Sequence, residues 1–159
     1  MWGCNEVYLE GTLLGGGGGH DASGACANAR ASLEVSWRLC DVGSEGGAGA
    51  QLSRLFVLCE AGAQLEVVER FEGAQEGAQD SSNTLSNHVT ELSLGEGAQL
   101  TYTRTQALNL SDLHVGRVAA RLEAGAQLKG VTLNLGASLS RVELEAELIG
   151  EGADLSLAG

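Results

Sequence analysis

The chain has 159 residues, a prior for about one domain, and carries a net charge of −12. Its nine Lys and Arg residues are scattered along the sequence. That balance excludes nucleic acid and anionic membrane as partners, because both are held by clustered cations. Hydrophobic residues make up 43% but aromatics only 4%, so a core must be built from Leu, Val and Ala. With 24 Gly and no Pro, every tight turn falls to glycine, a pattern of short strands in an all-β fold.

Other features narrow the class. No run of 18 apolar residues marks a transmembrane helix. The N-terminus lacks both the basic-then-apolar order of a secretory signal and the Arg- and Ser-rich character of a transit peptide. Cys4, Cys26, Cys40 and Cys59 stand at wide, irregular spacings without a C-x-x-C, as reduced thiols of a soluble intracellular protein do.

Residues 1–50 read as an irregular, Gly-rich, flexible segment. Gly15 to Gly19 form an unbroken glycine run, followed by small residues from Asp21 to Ala31 and a second Gly-rich stretch from Gly43 to Ala50. The run is not a phosphate loop: His20 and Asp21 follow it where Lys and Ser or Thr are required. Two apolar stretches, Glu6–Leu14 and Ser32–Leu39, have the character of short strands.

Residues 51–159 are repetitive. Gly62-Ala63-Gln64-Leu65 recurs as Gly97-Ala98-Gln99-Leu100, Gly125-Ala126-Gln127-Leu128 and Gly152-Ala153-Asp154-Leu155, and the tetrad also occurs at Gly49-Ala50-Gln51-Leu52. The last three copies start 28 and 27 residues apart, and the step from 62 to 97 is 35 because a polar insertion occupies Glu72–Asn83. Each unit holds two strand-like runs. In the last, Val142, Leu144, Ala146 and Leu148 share one parity and Glu143, Glu145 and Glu147 the other, the period of a strand wet on one face. Val131, Leu133 and Leu135 are expected to face inward by the same rule, with Thr132 and Asn134 outward.

Two strands and one repeated turn per 27 or so residues describe a coil of a parallel β-solenoid, with coils stacked at about 4.8 Å. Gly62, Gly97, Gly125 and Gly152 are expected at positive φ, and Leu65, Leu100, Leu128 and Leu155 in one inward row. An antiparallel sandwich is the competing architecture, but it has no need of identical turns at a constant two-strand period.

Few residues could carry chemistry. The histidines, His20, His88 and His114, are far apart in sequence. His114, on the parity of Val118, Ala120 and Leu122, and Cys59, after the apolar run Leu55–Leu58, are the weak metal candidates; each reads more simply as a core or corner residue. No G-x-S-x-G elbow is present. The Glu143, Glu145 and Glu147 row reads as a solubilising outer face rather than a glycosidase carboxylate pair.

Six segments together resemble the β-helical core of the SufB/SufD family, and SufD more than SufB. Leu55-Phe56-Val57-Leu58-Cys59-Glu60-Ala61-Gly62-Ala63 is similar to the family's apolar strand and acidic turn. Val68-Glu69-Arg70-Phe71-Glu72-Gly73 resembles its V-E-x-[FY]-x-G segment, and Asn87-His88-Val89-Thr90-Glu91-Leu92 its N-x-V-T-E strand. Leu113-His114-Val115-Gly116 resembles an apolar-His pair, Leu135-Gly136-Ala137-Ser138-Leu139-Ser140-Arg141 a G-G-x-L-S-R corner with Ala137 at the second glycine, and Gly150-Glu151-Gly152-Ala153 a G-E-G-A turn.

The resemblance implies a right-handed parallel β-helix. It also implies a non-catalytic scaffold of iron–sulfur cluster assembly with SufB-like and SufC-like partners, in a bacterial cytoplasm or plastid stroma. On that reading the chain alone binds no cofactor, and a cluster touches it only transiently within a complex. The family's later coils and terminal helical segment have no counterpart, so the chain reads as a fragment that self-associates through an open β-helix edge. A generic solenoid interaction module and a carbohydrate-acting β-helix enzyme are the alternatives.

Overall fold

A computed structural model of the chain describes residues 7–13, for which only the backbone is considered, 30–39, 49–73 and 84–159. Every regular element among them is a strand: β1 (Val7–Leu13), β2 (Arg30–Arg38), β3 (Gly49–Cys59), β4 (Gln64–Glu72), β5 (Thr84–Leu94), β6 (Gln99–Ala107), β7 (Leu113–Leu122), β8 (Gln127–Asn134), β9 (Leu139–Leu148) and β10 (Asp154–Ala158).

From β2 onward the chain alternates between two sheets. One has the order β1-β2-β4-β6-β8-β10, the other β3-β5-β7-β9. Each strand pairs in parallel with the strand two places on, and only β1 runs antiparallel, against β2. One strand from each sheet makes a coil. The fold is the parallel β-helix expected from the repeat, and the two N-terminal apolar stretches supply β1 and β2. β2 stacks on β4 as a coil strand, Arg30 to Arg38 against Gln64 to Glu72. The glycine run, His20, Cys4, Cys26, Cys40 and most of the insertion at Glu72–Asn83 lie outside the described residues.

The tetrad is a turn built for stacking. Gly62, Gly97, Gly125 and Gly152 have φ of 70°, 67°, 65° and 76°. Each stands third in a turn closed by the next alanine, as in Ala98 N–H to the Gly95 carbonyl at 3.0 Å. Positive φ at that place defines a type II turn and favours glycine. The glycine N–H donates to the following coil's turn, Gly62 to Glu96 and Gly97 to Ala124, both at 2.8 Å. After the turn, Ala98 and Ala126 point inward and are buried; Gln99 and Gln127 face solvent; Leu100 and Leu128 return to the interior. Leu65, Leu100, Leu128 and Leu155 form one register file.

One copy of the tetrad stands apart, and one reading of the repeat is corrected. The Gly49–Leu52 copy is no turn: it lies inside β3, half a coil out of phase with the others, and Leu52 is 61% exposed. On β8 the apolar and polar faces are inverted. Leu128, Gly130, Thr132 and Asn134 continue the inward files of Leu100, Tyr102, Arg104 and Gln106, while Val131 and Leu133 face outward at 41% and 44% exposure, and Leu135, just past the strand, is 69% exposed. The physical reason is the polar interior beneath: half-buried Thr132 and exposed Asn134 stack on the buried Arg104 and Gln106.

The core divides along each strand. Next to the tetrad turns, Val57, Cys59, Leu92, Leu94, Leu100, Leu122 and Leu128 form an apolar cluster. Towards the opposite corners the inward side chains become polar or aromatic. At one such corner Ala137 adopts φ 69°, the left-handed region that favours glycine.

Leu128→Ala is expected to lower unfolding free energy by about 2–5 kcal/mol in urea titrations, the range for truncating a buried leucine. A loss below about 0.5 kcal/mol, the scale of surface changes, would move Leu128 out of the core. Ala137→Gly is expected to raise stability by about 1 kcal/mol, because it relieves the left-handed penalty of a Cβ; a loss of stability would show that the methyl packing outweighs that penalty.

Candidate functional site

Strand β4 places Val67, Glu69 and Phe71 inward; β6 places Tyr102, Arg104 and Gln106 directly against them. From the facing sheet, Ser53 on β3, His88 and Thr90 on β5 and His114 on β7 point into the same space. Glu69, His88, Thr90, Arg104, Gln106 and His114 are fully buried.

The Glu69 carboxylate organises one half of this site. Oε1 accepts from Trp37 Nε1–H at 2.8 Å and faces His88 Nε2 at 2.8 Å. Oε2 accepts from the Thr90 hydroxyl at 2.9 Å and from the Tyr102 hydroxyl. His88 Nδ1 lies 2.6 Å from Ser53 Oγ, which can donate to a neutral ring or accept from a charged one. Burial alone would push the Glu69 carboxyl up. The His88 hydrogen bond and charge, the Tyr102 hydrogen bond and the Arg104 charge outweigh it and hold the group below the usual glutamate range. The Tyr102 phenol is pushed up by burial and by the Glu69 charge, and it remains a donor.

The other half is cationic. Arg104 crosses the interior to β7, where its Nη2 donates to His114 Nε2 at 2.7 Å. The guanidinium carbon lies 4.6 Å from the centre of the Phe71 ring, which also packs on His88 and His114 at 4.9 Å. Gly116 makes this crossing possible: a Cβ there would overlap the guanidinium. Burial first, then the Arg104 and His88 charges, push His114 down to about 4, against a smaller opposing effect of Glu69.

The structure does not join the two sequence-derived metal candidates. Cys59 is buried at the apolar end of β3, its thiol raised by burial, while His114 sits at the opposite end of the strand files. Among the described residues no group of three or more His, Cys, Asp and Glu side chains could hold a metal ion. The Glu143, Glu145 and Glu147 row is exposed, with Arg141 on Glu143 and Arg117 on Glu145.

Sequence reasoning missed the polar interior because it assigned polar residues outward by default. Counting by twos from the tetrad leucines finds it: Leu65 leads to Glu69, Leu100 to Tyr102, Arg104 and Gln106, and Leu128 to Thr132 and Asn134.

The fold and this interior can be set beside known proteins. Residues 42–159 match the family described as SUF system FeS cluster assembly, SufBD core domain. The chain belongs to the SufBD core family. An iron–sulfur cluster assembly SufBD family protein of Synechocystis sp. (strain ATCC 27184 / PCC 6803 / Kazusa) is 30% identical over 95 residues, covering 58% of this chain and 21% of that protein. The chain thus matches about a fifth of that curated relative's length. No solved structure matches the chain. The SufBD segment takes in β3 to β10 and every buried polar residue described above except Trp37. No helix among the described residues is long and apolar enough to cross a membrane.

Stability is expected to fall in two steps as pH is lowered. The folded His114 value lies below the ordinary 6.5, so its contribution is complete above 6.5 and is lost between 6.5 and about 4. The folded Glu69 value lies below the ordinary 4.5, so its contribution is lost only below 4.5. His114→Gln should flatten the first step and Glu69→Gln the second in urea titrations from pH 7 to 3. Parallel wild-type and variant profiles would contradict the assignment.

Proposed function

We propose that the chain is a non-catalytic scaffold component of iron–sulfur cluster assembly, closer to SufD than to SufB, working in a SufBCD-type complex. The observation that carries this reading is the SufBD core match, which covers the parallel solenoid from before β3 to the last described residue. Two structural features support it. The ionisable side chains of the interior, Glu69, His88, Arg104 and His114, are fully buried rather than presented in a cleft, and in the exposed outer row Glu143 and Glu145 have arginine partners.

The implied partners are a SufB-like and a SufC-like subunit, in a bacterial cytoplasm or plastid stroma. Any ATP hydrolysis belongs to the SufC-like partner, and a cluster contacts this chain only within the complex. A second reading, a solenoid interaction module without a metal role, is favoured by the outward row Leu52, Phe56 and Leu58 on β3, each about 60% exposed.

Co-expression of the full chain with SufB-like and SufC-like subunits tests the proposal. The three are expected to co-elute on gel filtration. A SufB-like and SufC-like pair that elutes together and leaves this chain behind would overturn the assembly role. The isolated chain is expected to retain well under one iron and one sulfide per molecule after gel filtration; stoichiometric retention would overturn the transient-contact reading.

A further inference from the structure

The hydrogen bonds around Arg104 leave a set of donors with no acceptor. Its guanidinium is wholly buried and only Nη2 is engaged; Nε–H and the Nη1 hydrogens face no partner. An arginine only donates, so the His114 Nε2 that it meets must carry the lone pair. The His114 proton therefore sits on Nδ1, which is buried and also without a partner. Gln106, two residues along β6 on the same face, accepts the Gly136 N–H with Oε1 at 3.0 Å and leaves its Nε2 hydrogens unpartnered. Every unpartnered side-chain polar atom on these three residues is thus a donor. Among the buried side chains of the described residues, the one unpartnered acceptor, Gln51 Oε1, stands two coils away in the Gln51, Ser86, His114 file.

Charge points the same way. Among the described residues no carboxylate lies within ion-pair distance of Arg104. The Glu69 carboxylate is committed to Trp37, His88, Thr90 and Tyr102. A buried guanidinium with unused N–H groups is costly unless an acceptor joins it, and a compact negative acceptor also answers its charge. Phe71, packed on the guanidinium and on His114, walls this layer with apolar surface.

We propose that the Arg104 layer of the solenoid interior is a binding site for a small monovalent anion of halide size, held by the Nε and Nη1 groups of Arg104 and by Gln106, with His114 fixing the guanidinium through Nη2. The charge and an all-donor lining select an anion, and full burial of Arg104 and Gln106 selects a compact one. The site is independent of the assembly role proposed above.

Crystals of the full chain grown or soaked in sodium bromide test this directly. An anomalous bromine peak within hydrogen-bond distance of Arg104 Nε or Nη1 is expected. Water density alone at that place, with no anomalous peak, would overturn the proposal. In solution, thermal unfolding is compared in sodium chloride and in sodium gluconate at equal ionic strength. Chloride is expected to raise the wild-type Tm in a saturating manner relative to gluconate. Gln106→Leu removes one donor and keeps the arginine, so its chloride-dependent rise should shrink or vanish. Equal wild-type Tm values in the two salts, or an undiminished rise in Gln106→Leu, would overturn the site. Gln106→Met provides a second variant if Gln106→Leu does not fold, with the same outcomes.

Discussion

One buried carboxylate constrains the whole middle of this solenoid. Taking an ionised glutamate out of water is tolerable only where hydrogen-bond donors and positive charge replace the lost hydration. Glu69 has such donors from three strands: Trp37 of β2, His88 and Thr90 of β5, and Tyr102 of β6. Those strands belong to both sheets and to three successive coils. A one-residue slip of β4 against β2 or β6 would turn Glu69 outward and bring Val68 or Arg70 in. The slip would leave the Trp37 N–H and the Tyr102 hydroxyl in the interior without an acceptor.

The two ends of each coil obey different rules, and this explains which turns repeat. At the tetrad end the interior is apolar, made of small and medium aliphatic side chains that stack like on like: Leu65 on Leu100 on Leu128 on Leu155. Identical packing demands identical turns, and the glycine at positive φ recurs with its bond to the next coil. At the far end the stacked residues differ from coil to coil: Trp37, Phe71, Gln106 and Asn134 in one file, Gln51, Ser86, His114 and Ser140 in another. The corners there differ too. One holds the insertion between β4 and β5, one a turn in which Asp112 accepts from the Asn109 N–H, and one the left-handed Ala137.

This division decides what the sequence made legible. The tetrad period and the period-2 faces are local signals, strong enough to give the solenoid, the glycine corners and the leucine row. The polar site is not local. Glu69 in Val68-Glu69-Arg70 and Arg104 in Thr103-Arg104-Thr105 look like ordinary wet positions until the parity from Leu65 and Leu100 is carried along the strand. Val131 and Leu133 misled for the same reason: hydrophobicity alone assigns them inward, and only the count from Leu128 places them on the outer face. Which donors meet Glu69 depends on stacking across coils, information that exists only once 37, 69, 88 and 102 are brought together.

A repeat solenoid carries a hazard that this interior removes. Strands that begin with the same Ala-Gln-Leu could pair with any other such strand at nearly equal energy, so the apolar end does not by itself say which coil follows which. The polar end does. Glu69 is answered only when Tyr102 stacks above Val67 and Trp37 below Phe71. Arg104 has room only where Gly116 omits a side chain, and His114 is two residues from that gap on the same inward face. Pairing β4 with β8 instead would set Gly130 and Thr132 where Tyr102 and Arg104 belong. The carboxylate would lose the phenol donor and the nearby positive charge. Each unpaired buried polar group costs about 1–3 kcal/mol, more when it is charged, and total stabilities are only about 5–15 kcal/mol. Two such mismatches are enough to reject a wrong stacking order. The leucine files supply cohesion, and the buried ionic and aromatic groups supply the address of each coil.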